Sequence, residues 1–109
     1  MTVGAVIELG SAYAQLESEG WVLFGCPDGT ALRWKKQGLP PQGPSKIVFK
    51  DGSLSEMSGL FALLCGLVDT GRQETLSIVH LLFDEAVPTI VEAWLRSVQP
   101  GFPVCLETP

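Results

Sequence analysis

His80 is the only histidine among the 109 residues, and histidine is the side chain best suited to general acid–base catalysis near neutral pH. Catalysis would need a nucleophile or a carboxylate beside the imidazole, and Asp84 and Glu85 are close to it only along the chain. His80 stands among apolar neighbours, from Ile78 to Leu82, which is typical of a partly buried histidine in a strand. The sequence therefore favours a structural role for His80.

Three cysteines, Cys26, Cys65 and Cys105, are the other candidate nucleophiles. Their number is odd and their spacing is wide, which is typical of neither a disulfide framework nor a zinc site. None of them lies in a local signature of a cysteine nucleophile. We expect Cys26, next to the turn residue Pro27, to be the most exposed and reactive, and Cys65 to be packed on an apolar helix.

Loops that bind phosphate groups or metal ions have their own residue patterns, and the sequence contains none of these. A phosphate-binding loop uses glycine backbone N–H groups and ends in Gly-Lys-Ser or Gly-Lys-Thr, whereas prolines interrupt the nearest candidate, around residues 43–46. No run of oxygen-bearing side chains resembles a calcium loop. We therefore expect no metal and no cofactor, and the sequence favours a protein that is not an enzyme.

The first third of the chain is predicted to contain a helix and a β-hairpin. Apolar side chains recur at helical spacing over residues 6–20, although two early glycines leave a strand as the alternative for residues 3–10. Residues 21–36 alternate in polarity on both sides of a Pro-Asp-Gly turn at 27–29, as the two strands of a hairpin do.

The rest of the chain is predicted to alternate between strands and helices. Ser53 and Glu56 fit a capping box at the start of the clearest helix, whose apolar stripe runs from Leu54 to Val68. Residues 75–83 are apolar nearly throughout, which predicts a central strand buried on both faces. The other predicted elements are a proline-rich loop (37–45), a short strand (47–49), a helix (87–98) and a final strand (102–106).

These elements predict the α+β class, as a single globular domain over residues 1–109. We expect a two-layer sandwich in which about three helices pack on a mainly antiparallel sheet of four or five strands. The predicted order along the chain is α-β-β-(β)-α-β-α-β.

Five of the seven basic residues lie between Gly29 and Lys50, in a stretch without acidic residues, although the whole chain has a net charge of −5. In the predicted hairpin, Arg33 and Lys35 share one face of the return strand and Trp34 lies on the other. Such a face would suit an acidic protein or an anionic ligand. The alternative is that these lysines protect a sheet edge from unwanted pairing. The candidate binding residues are Trp21, Arg33, Lys35, Lys36, Lys46 and Lys50.

The composition indicates a surface that meets a partner. Apolar residues make up 46% of the chain and charged residues only 17%, against about 25% in typical domains. A chain of this kind hides much of its length or presents an apolar face to another subunit. No apolar run approaches the roughly 20 residues of a membrane span, and the first residues lack the pattern of a signal peptide. We therefore expect a cytoplasmic protein without membrane contact.

Our interpretation is a small, non-catalytic protein-interaction module with a regulatory, inhibitory or assembly role. Its partner would be another protein or a second copy in a homo-oligomer, while the net negative charge disfavours nucleic acid. The alternative is a small-molecule-binding protein or a minor enzyme, with a pocket near His80, Trp21 and Arg33 and with Cys26 as a candidate pocket residue. A module predicts a flat apolar patch, whereas the alternative predicts a concave pocket where His80 or a cysteine meets polar groups.

Overall fold

A computed structural model describes residues 4–81 and 84–107 as a six-stranded sheet accompanied by helices. The strands are β1 (Val6–Leu9), β2 (Ala12–Glu17), β3 (Gly20–Phe24), β4 (Lys46–Phe49), β5 (Leu76–His80) and β6 (Val104–Glu107). The helices are α1 (Thr30–Lys36), α2 (Leu54–Met57), α3 (Leu60–Asp69) and α4 (Ala86–Val98). The observed order is therefore β-β-β-α-β-α-α-β-α-β.

The sheet is mixed, with its strands in sequence order from β1 to β6. The first three strands form an antiparallel meander, and β3, β4, β5 and β6 are parallel neighbours. The α+β class is thus supported, but the prediction of four or five mainly antiparallel strands is wrong. The reason is that helices connect all the later strands, and a helix returns the chain to the same end of the sheet.

The predicted helix over residues 6–20 is the hairpin of β1 and β2. Gly10 has a φ of 76°, a left-handed conformation that suits the tight turn between the two strands. The core-facing residues of β2 are the small Ala12 and Ala14, both buried, while Tyr13 is exposed. Their alternation of burial has the period of a strand, but small inward residues and a large outward one concealed it. The strand alternative for residues 3–10 is correct from residue 6 to residue 9, and residue 3 lies outside the described residues.

The predicted return strand of the second hairpin is helix α1. Trp34 is buried on one side of this helix, and its indole Nε1 donates a hydrogen bond to the backbone oxygen of Pro40 at 2.7 Å. Gly38, with a φ of 71°, follows the last turn in the left-handed conformation that commonly ends a helix. In a stretch of seven residues with a single large buried side chain, the spacing of apolar residues does not distinguish a strand from a helix.

The helix predicted from Leu54 to Val68 is divided into α2 and α3 by Ser58 and Gly59. The predicted capping box is wrong, because no side chain caps α2. The Ser53 hydroxyl lies 3.0 Å from the hydroxyl of Ser55, while the Glu56 carboxylate accepts a hydrogen bond from the backbone N–H of Lys50. Glu56 therefore ties α2 to the end of β4 instead of closing its own helix.

The last part of the fold follows the predicted order of strand, helix and strand. Residues 76–80 form β5, an interior strand of the sheet, while the predicted positions 82 and 83 lie outside the described residues. Helix α4 buries Val87 and Val91, and its other apolar residues pack on the core beside them. Strand β6 begins two residues later than predicted and forms an edge of the sheet.

One side of the sheet packs against the helices in a continuous apolar core. Its strand residues include Leu23, Ile47 and Ile78, which the register aligns across β3, β4 and β5. Crossovers between parallel strands are right-handed, and the order from β3 to β6 never reverses, so each crossover helix is expected on the same face. The helical residues of this core are Trp34, Met57, Leu60, Leu63, Leu64, Leu67, Val87 and Val91.

The buried guanidinium of Arg72 fastens the connections at the amino-terminal ends of the parallel strands. It is 4% exposed and donates hydrogen bonds to four backbone carbonyl groups. Two acceptors, Gln42 and Pro44, precede β4, and the other two, Glu74 and Thr75, precede β5. The guanidinium also lies 5.4 Å from the centre of the Phe102 ring, just before β6. A single side chain therefore sets the starting positions of three strands.

We expect Arg72→Met to lower the free energy of unfolding by about 3–5 kcal/mol, because four carbonyl oxygens would lose a charged donor in a buried place. Arg72→Lys should also destabilise the fold, since one ammonium group cannot span the carbonyls that the planar guanidinium reaches. Urea denaturation measures the change. Arg96→Met, on the exposed side of α4, is the matched control and should shift stability by less than about 0.5 kcal/mol. Equal effects at the two positions would contradict the assigned role of Arg72.

Two glycines of the α2–α3 region should respond to alanine in opposite directions. A Cβ at Gly59 would collide with the backbone carbonyl of Pro27, so Gly59→Ala should destabilise the fold by about 1–3 kcal/mol. A Cβ at Gly66, within α3, would meet no atom within 4 Å, so Gly66→Ala should stabilise it by up to about 1 kcal/mol. Thermal and urea unfolding of both variants test this, and a common sign would contradict the close approach at Gly59.

Candidate interaction surface

The side of the sheet that faces away from the core carries a second group of apolar side chains. Tyr13, Val22, Phe24, Val48 and Val79 alternate along their strands with residues of the core, and none of them belongs to the core cluster. We call this side of the sheet the open face. Because successive side chains of a strand point to opposite faces, the strands β2 to β5 present apolar groups on both sides.

The strand register arranges most of these residues in one row across the sheet. Each neighbouring pair in this row is a pair of directly opposed residues. The two rings nearest β1, those of Tyr13 and Phe24, stack with centroids 4.6 Å apart and planes inclined by 12°. From β1 to β6 the row reads Glu8, Tyr13, Phe24, Val48, Val79 and Glu107. An apolar centre is thus flanked by an acidic residue at each edge of the sheet.

A second row of the open face is more polar. It contains Gln15 on β2, Val22 on β3 and Lys46 on β4. Val22 is opposed to Gln15 on one side and to Lys46 on the other. Val22 is 5% exposed, whereas Tyr13 in the first row is 40% exposed. The open face therefore combines an apolar centre with charged and polar residues around it, which is the anatomy of many protein–protein interfaces. Tyr13, Phe24 and Val48 of this centre also line a cavity of about 250 Å³.

The predicted basic surface is divided among separate places in the fold. Arg33, Lys35 and Lys36 are exposed residues of α1, which packs on the opposite side of the sheet. The prediction that Arg33 and Lys35 share a face is wrong, because residues two apart on a helix point in nearly opposite directions. The Arg33 guanidinium is occupied locally, since it donates a hydrogen bond to the backbone oxygen of Asp28 at 3.2 Å.

Lys46 and Lys50 lie at opposite ends of β4. Lys46 is the first residue of the strand and is on the open face, whereas Lys50 follows its last residue and is exposed at the carboxyl edge. Neither lysine protects a sheet edge, because β4 is an interior strand and the edges of the sheet are β1 and β6. The protected-edge alternative for the basic segment is therefore wrong.

Trp21 begins β3 and is half-buried against Trp34, with the two rings nearly perpendicular at a centroid distance of 6.4 Å. It lines a shallow cavity of about 490 Å³ together with Arg72 and the acidic residues Glu19 and Glu74. The residues that line this cavity do not include His80 or Arg33. Because Arg72 already donates to backbone carbonyl groups, the charged groups that the cavity offers are the carboxylates of Glu19 and Glu74.

His80 and Cys26 are both buried at the carboxyl ends of parallel strands. His80 ends β5 and is 4% exposed, and Cys26 follows β3 and is fully buried. Trp21 is at the opposite end of its strand, so the structure does not bring His80, Trp21 and Arg33 into one pocket. The expectation that Cys26 is exposed is wrong. Burial raises the pKa of its thiol to about 12, an effect that a hydrogen bond with Thr30 only partly offsets.

Parallel sheets commonly bind ligands at their carboxyl edge, and in this chain two carboxylates of that edge, those of Asp51 and Asp84, are engaged with backbone groups. Asp84 accepts hydrogen bonds from the N–H groups of Gly52 and Ala86 at 3.0 and 2.9 Å. Asp51 accepts one from Ser53 at 2.9 Å, and bonding to the side chain and backbone of Ser53 lowers the pKa of this carboxyl. These carboxylates therefore shape the loops that follow the strands.

Two further properties concern the described parts of the chain. No group of three or more histidine, cysteine, aspartate or glutamate side chains there is arranged to hold a metal ion. Among those same residues, no helix has the length and apolar character needed to cross a membrane.

Sequence reasoning missed the open face because it assigned β2 to a helix. In a helix, Tyr13 joins Val6, Leu9 and Leu16 in one apolar stripe, so nothing sets it apart from core residues. The available signal was the alternation of Ala12, Tyr13, Ala14 and Gln15, which has the period of a strand. To recognise that the outward-facing apolar residues of several strands form one surface, the strand register must also be known, and the register is a property of the folded sheet.

Comparisons with known proteins give a fold and no family. Neither the protein-family models nor the curated proteins include a match to this sequence. Among solved structures, the short form of human tRNase Z resembles the chain with a TM-score of 0.69 and 18% sequence identity. The similar region covers 90% of this chain and 38% of that chain, so this chain spans well under half of the length of tRNase Z. At this level of identity the likeness concerns the fold alone.

We expect the three cysteines to differ widely in reactivity toward a thiol reagent at pH 8. Cys105, exposed on the open face, should react first, Cys65 more slowly, and Cys26 only on unfolding. With its pKa near 12, Cys26 has roughly a thousandfold fewer thiolates than an ordinary cysteine, and burial blocks the reagent as well. Ellman's reagent on single-cysteine variants measures the rates, and rapid labelling of Cys26 in the folded protein would contradict its placement.

Proposed function

We propose that this chain is a non-catalytic protein-interaction module that binds a protein surface through its open face. The observation that carries the proposal is the row of Tyr13, Phe24, Val48 and Val79, which lies outside the core and has an acidic residue at each end. Aromatic and aliphatic groups at the centre, with charges at the rim, suit contact with another protein. The free state of the three cysteines suits a reducing compartment such as the cytoplasm.

The architecture supports this proposal independently of the residues. Sheets with parallel strands normally have both faces covered, because their strands are apolar on both sides. In the described residues, the helical side chains of the core pack against one face. In tRNase Z the similar region is 38% of a longer chain, so this fold occurs there together with further structure. A partner on the open face would provide the missing cover.

The residues that could otherwise form a catalytic site are engaged in ways that favour binding over catalysis. The thiol of Cys26 is buried with a raised pKa, which opposes a role as a nucleophile. Asp51 and Asp84 hold backbone N–H groups of their own loops. The cavity beside Trp21 is lined by Arg72, whose guanidinium is already committed to four carbonyl groups.

The decisive variant is Tyr13→Asp, which places a charge in the centre of the open face at a side chain that is exposed and so tolerates the change in the free protein. We expect partner binding to weaken at least tenfold, because a buried charge without a counter-ion opposes association. Quantitative capture from cell extract, followed by titration of the captured partner, measures the loss. Leu32→Asp is the matched control, since Leu32 is exposed on α1 in the other layer.

A partner retained by the wild type and by Leu32→Asp but lost by Tyr13→Asp supports the proposal. The same partner should slow alkylation of a cysteine placed at the centre of the open face, in Phe24→Cys with Cys105→Ser, without changing the rate at Cys65 on α3. Retention of every partner by Tyr13→Asp, with a folded circular dichroism spectrum, would show that binding uses another surface.

A further inference from the structure

We propose that the occupant of the open face is a second copy of this chain, packed face to face about a two-fold axis that runs along β3. The inference rests on the proposed function of the open face and adds the identity of the partner. A two-fold axis makes the interface isologous, so the same patch must be complementary to itself. The open face meets this requirement in both its apolar groups and its charges.

The apolar groups match when the axis lies over β3. This axis places β2 of one copy over β4 of the other, so Tyr13 faces Val48 and Phe24 faces its own equivalent. It also places β1 over β5, so the apolar match ends at the border of the contact, where Glu8 lies over Val79. The register holds these residues in a single row across the sheet. Because the axis is parallel to the strands, the rotation places each row of one copy opposite the same row of the other copy. In such a contact the strand directions of two twisted sheets usually stay within about 30° of each other, and the sheets are separated by about 10 Å.

The charges favour this axis over two other face-to-face arrangements. Lys46 and Gln15 lie in one row, on opposite sides of Val22, and Glu17 is the next residue of β2 on the same face as Gln15. With β2 over β4, Lys46 of each copy therefore lies against Gln15 and Glu17 of the other. A two-fold axis between β3 and β4 would place Glu8 of one copy over Glu107 of the other, which is a repulsion between two carboxylates. A two-fold axis perpendicular to the strands would place each strand over its own equivalent. If that axis ran along the row from Glu8 to Glu107, the two Glu8 residues would face each other.

The size of the open face predicts a weak dimer. Five overlapping strands spaced by about 4.8 Å, each about 15 Å long, cover about 360 Å² on each copy and about 720 Å² in total, which is less than stable specific interfaces bury. We therefore expect a dissociation constant in the micromolar range, so that dilution separates the copies. Sedimentation velocity from about 5 to about 500 µM covers this range.

A charge exchange tests the arrangement. Lys46→Glu and Glu17→Lys should each weaken the dimer about tenfold or more, because two-fold symmetry repeats every pair and turns two attractions into two repulsions. The double variant should return the dissociation constant to within about threefold of the wild type, because the attraction is restored with the signs reversed. Lys36→Glu on α1 makes the same change in net charge outside the open face and should leave association unchanged.

Cross-linking gives a second readout that does not depend on charge. A cysteine at position 24, in Phe24→Cys with Cys105→Ser, should join two copies through a short bis-maleimide, since the axis passes beside this residue. Leu32→Cys in the same background lies on the helical layer and should give little cross-linked dimer. Equal cross-linking at the two positions would overturn the proposed axis.

The outcomes distinguish the two proposals. A wild type that remains monomeric at the highest concentration overturns self-association, and the proposed function stands if Tyr13→Asp still loses another protein partner. A dimer that ignores both charge exchanges and does not cross-link through position 24 forms elsewhere and also overturns the inference. A dimer with rescue by the double variant, together with the position-24 cross-link, supports it.

Discussion

Right-handed crossovers constrain this fold more than any single contact does, because its parallel strands follow one another in one direction across the sheet. Three successive connections, through α1, through α2 with α3, and through α4, carry their helices to the same face. A sheet whose order reversed would receive helices on both faces. The strands from β2 to β5 nevertheless have apolar side chains on the side away from the helices, and this combination creates the open face.

Arg72 makes that topology cooperative, since it joins the segments that enter the parallel strands. Its donors reach carbonyl groups before β4 and before β5, and its face contacts Phe102 before β6. A buried cation needs polar partners, and backbone carbonyl groups accept the hydrogen bonds of this guanidinium while Glu74 adds an electrostatic attraction. The register of the parallel strands therefore depends on Arg72, although Arg72 belongs to neither face of the sheet. The row of residues on the open face depends on it in the same way.

The sequence predicted elements best where apolar residues formed a long pattern or a continuous run. Helix α4 was recognisable because its apolar residues recur at helical spacing, and strand β5 because it lies in a stretch that is apolar nearly throughout. The hairpin of β1 and β2 was not recognisable, because the core-facing Ala12 and Ala14 are small while the large Tyr13 points outward, which reverses the usual relation between size and burial. Leu16 is on the core side but remains 37% exposed. Helix α1 was missed because seven residues with Trp34 as the single large buried side chain carry no period. The candidate site depended on these two segments, so it could not be assembled from sequence alone.

The two faces of the sheet bury apolar residues for different reasons. The core face uses branched and aromatic side chains that interdigitate with helices, such as Leu23, Ile47 and Phe49, all fully buried. The open face instead uses a flat stack of Tyr13 on Phe24 beside valines, with the tyrosine 40% exposed. A flat patch of this type has small cost in side-chain entropy when another surface covers it, because aromatic and β-branched groups have few rotamers to lose. The strands hold this patch in an ordered conformation before any partner binds. Little conformational entropy is therefore lost on association, and more of the free energy of burying the patch contributes to binding.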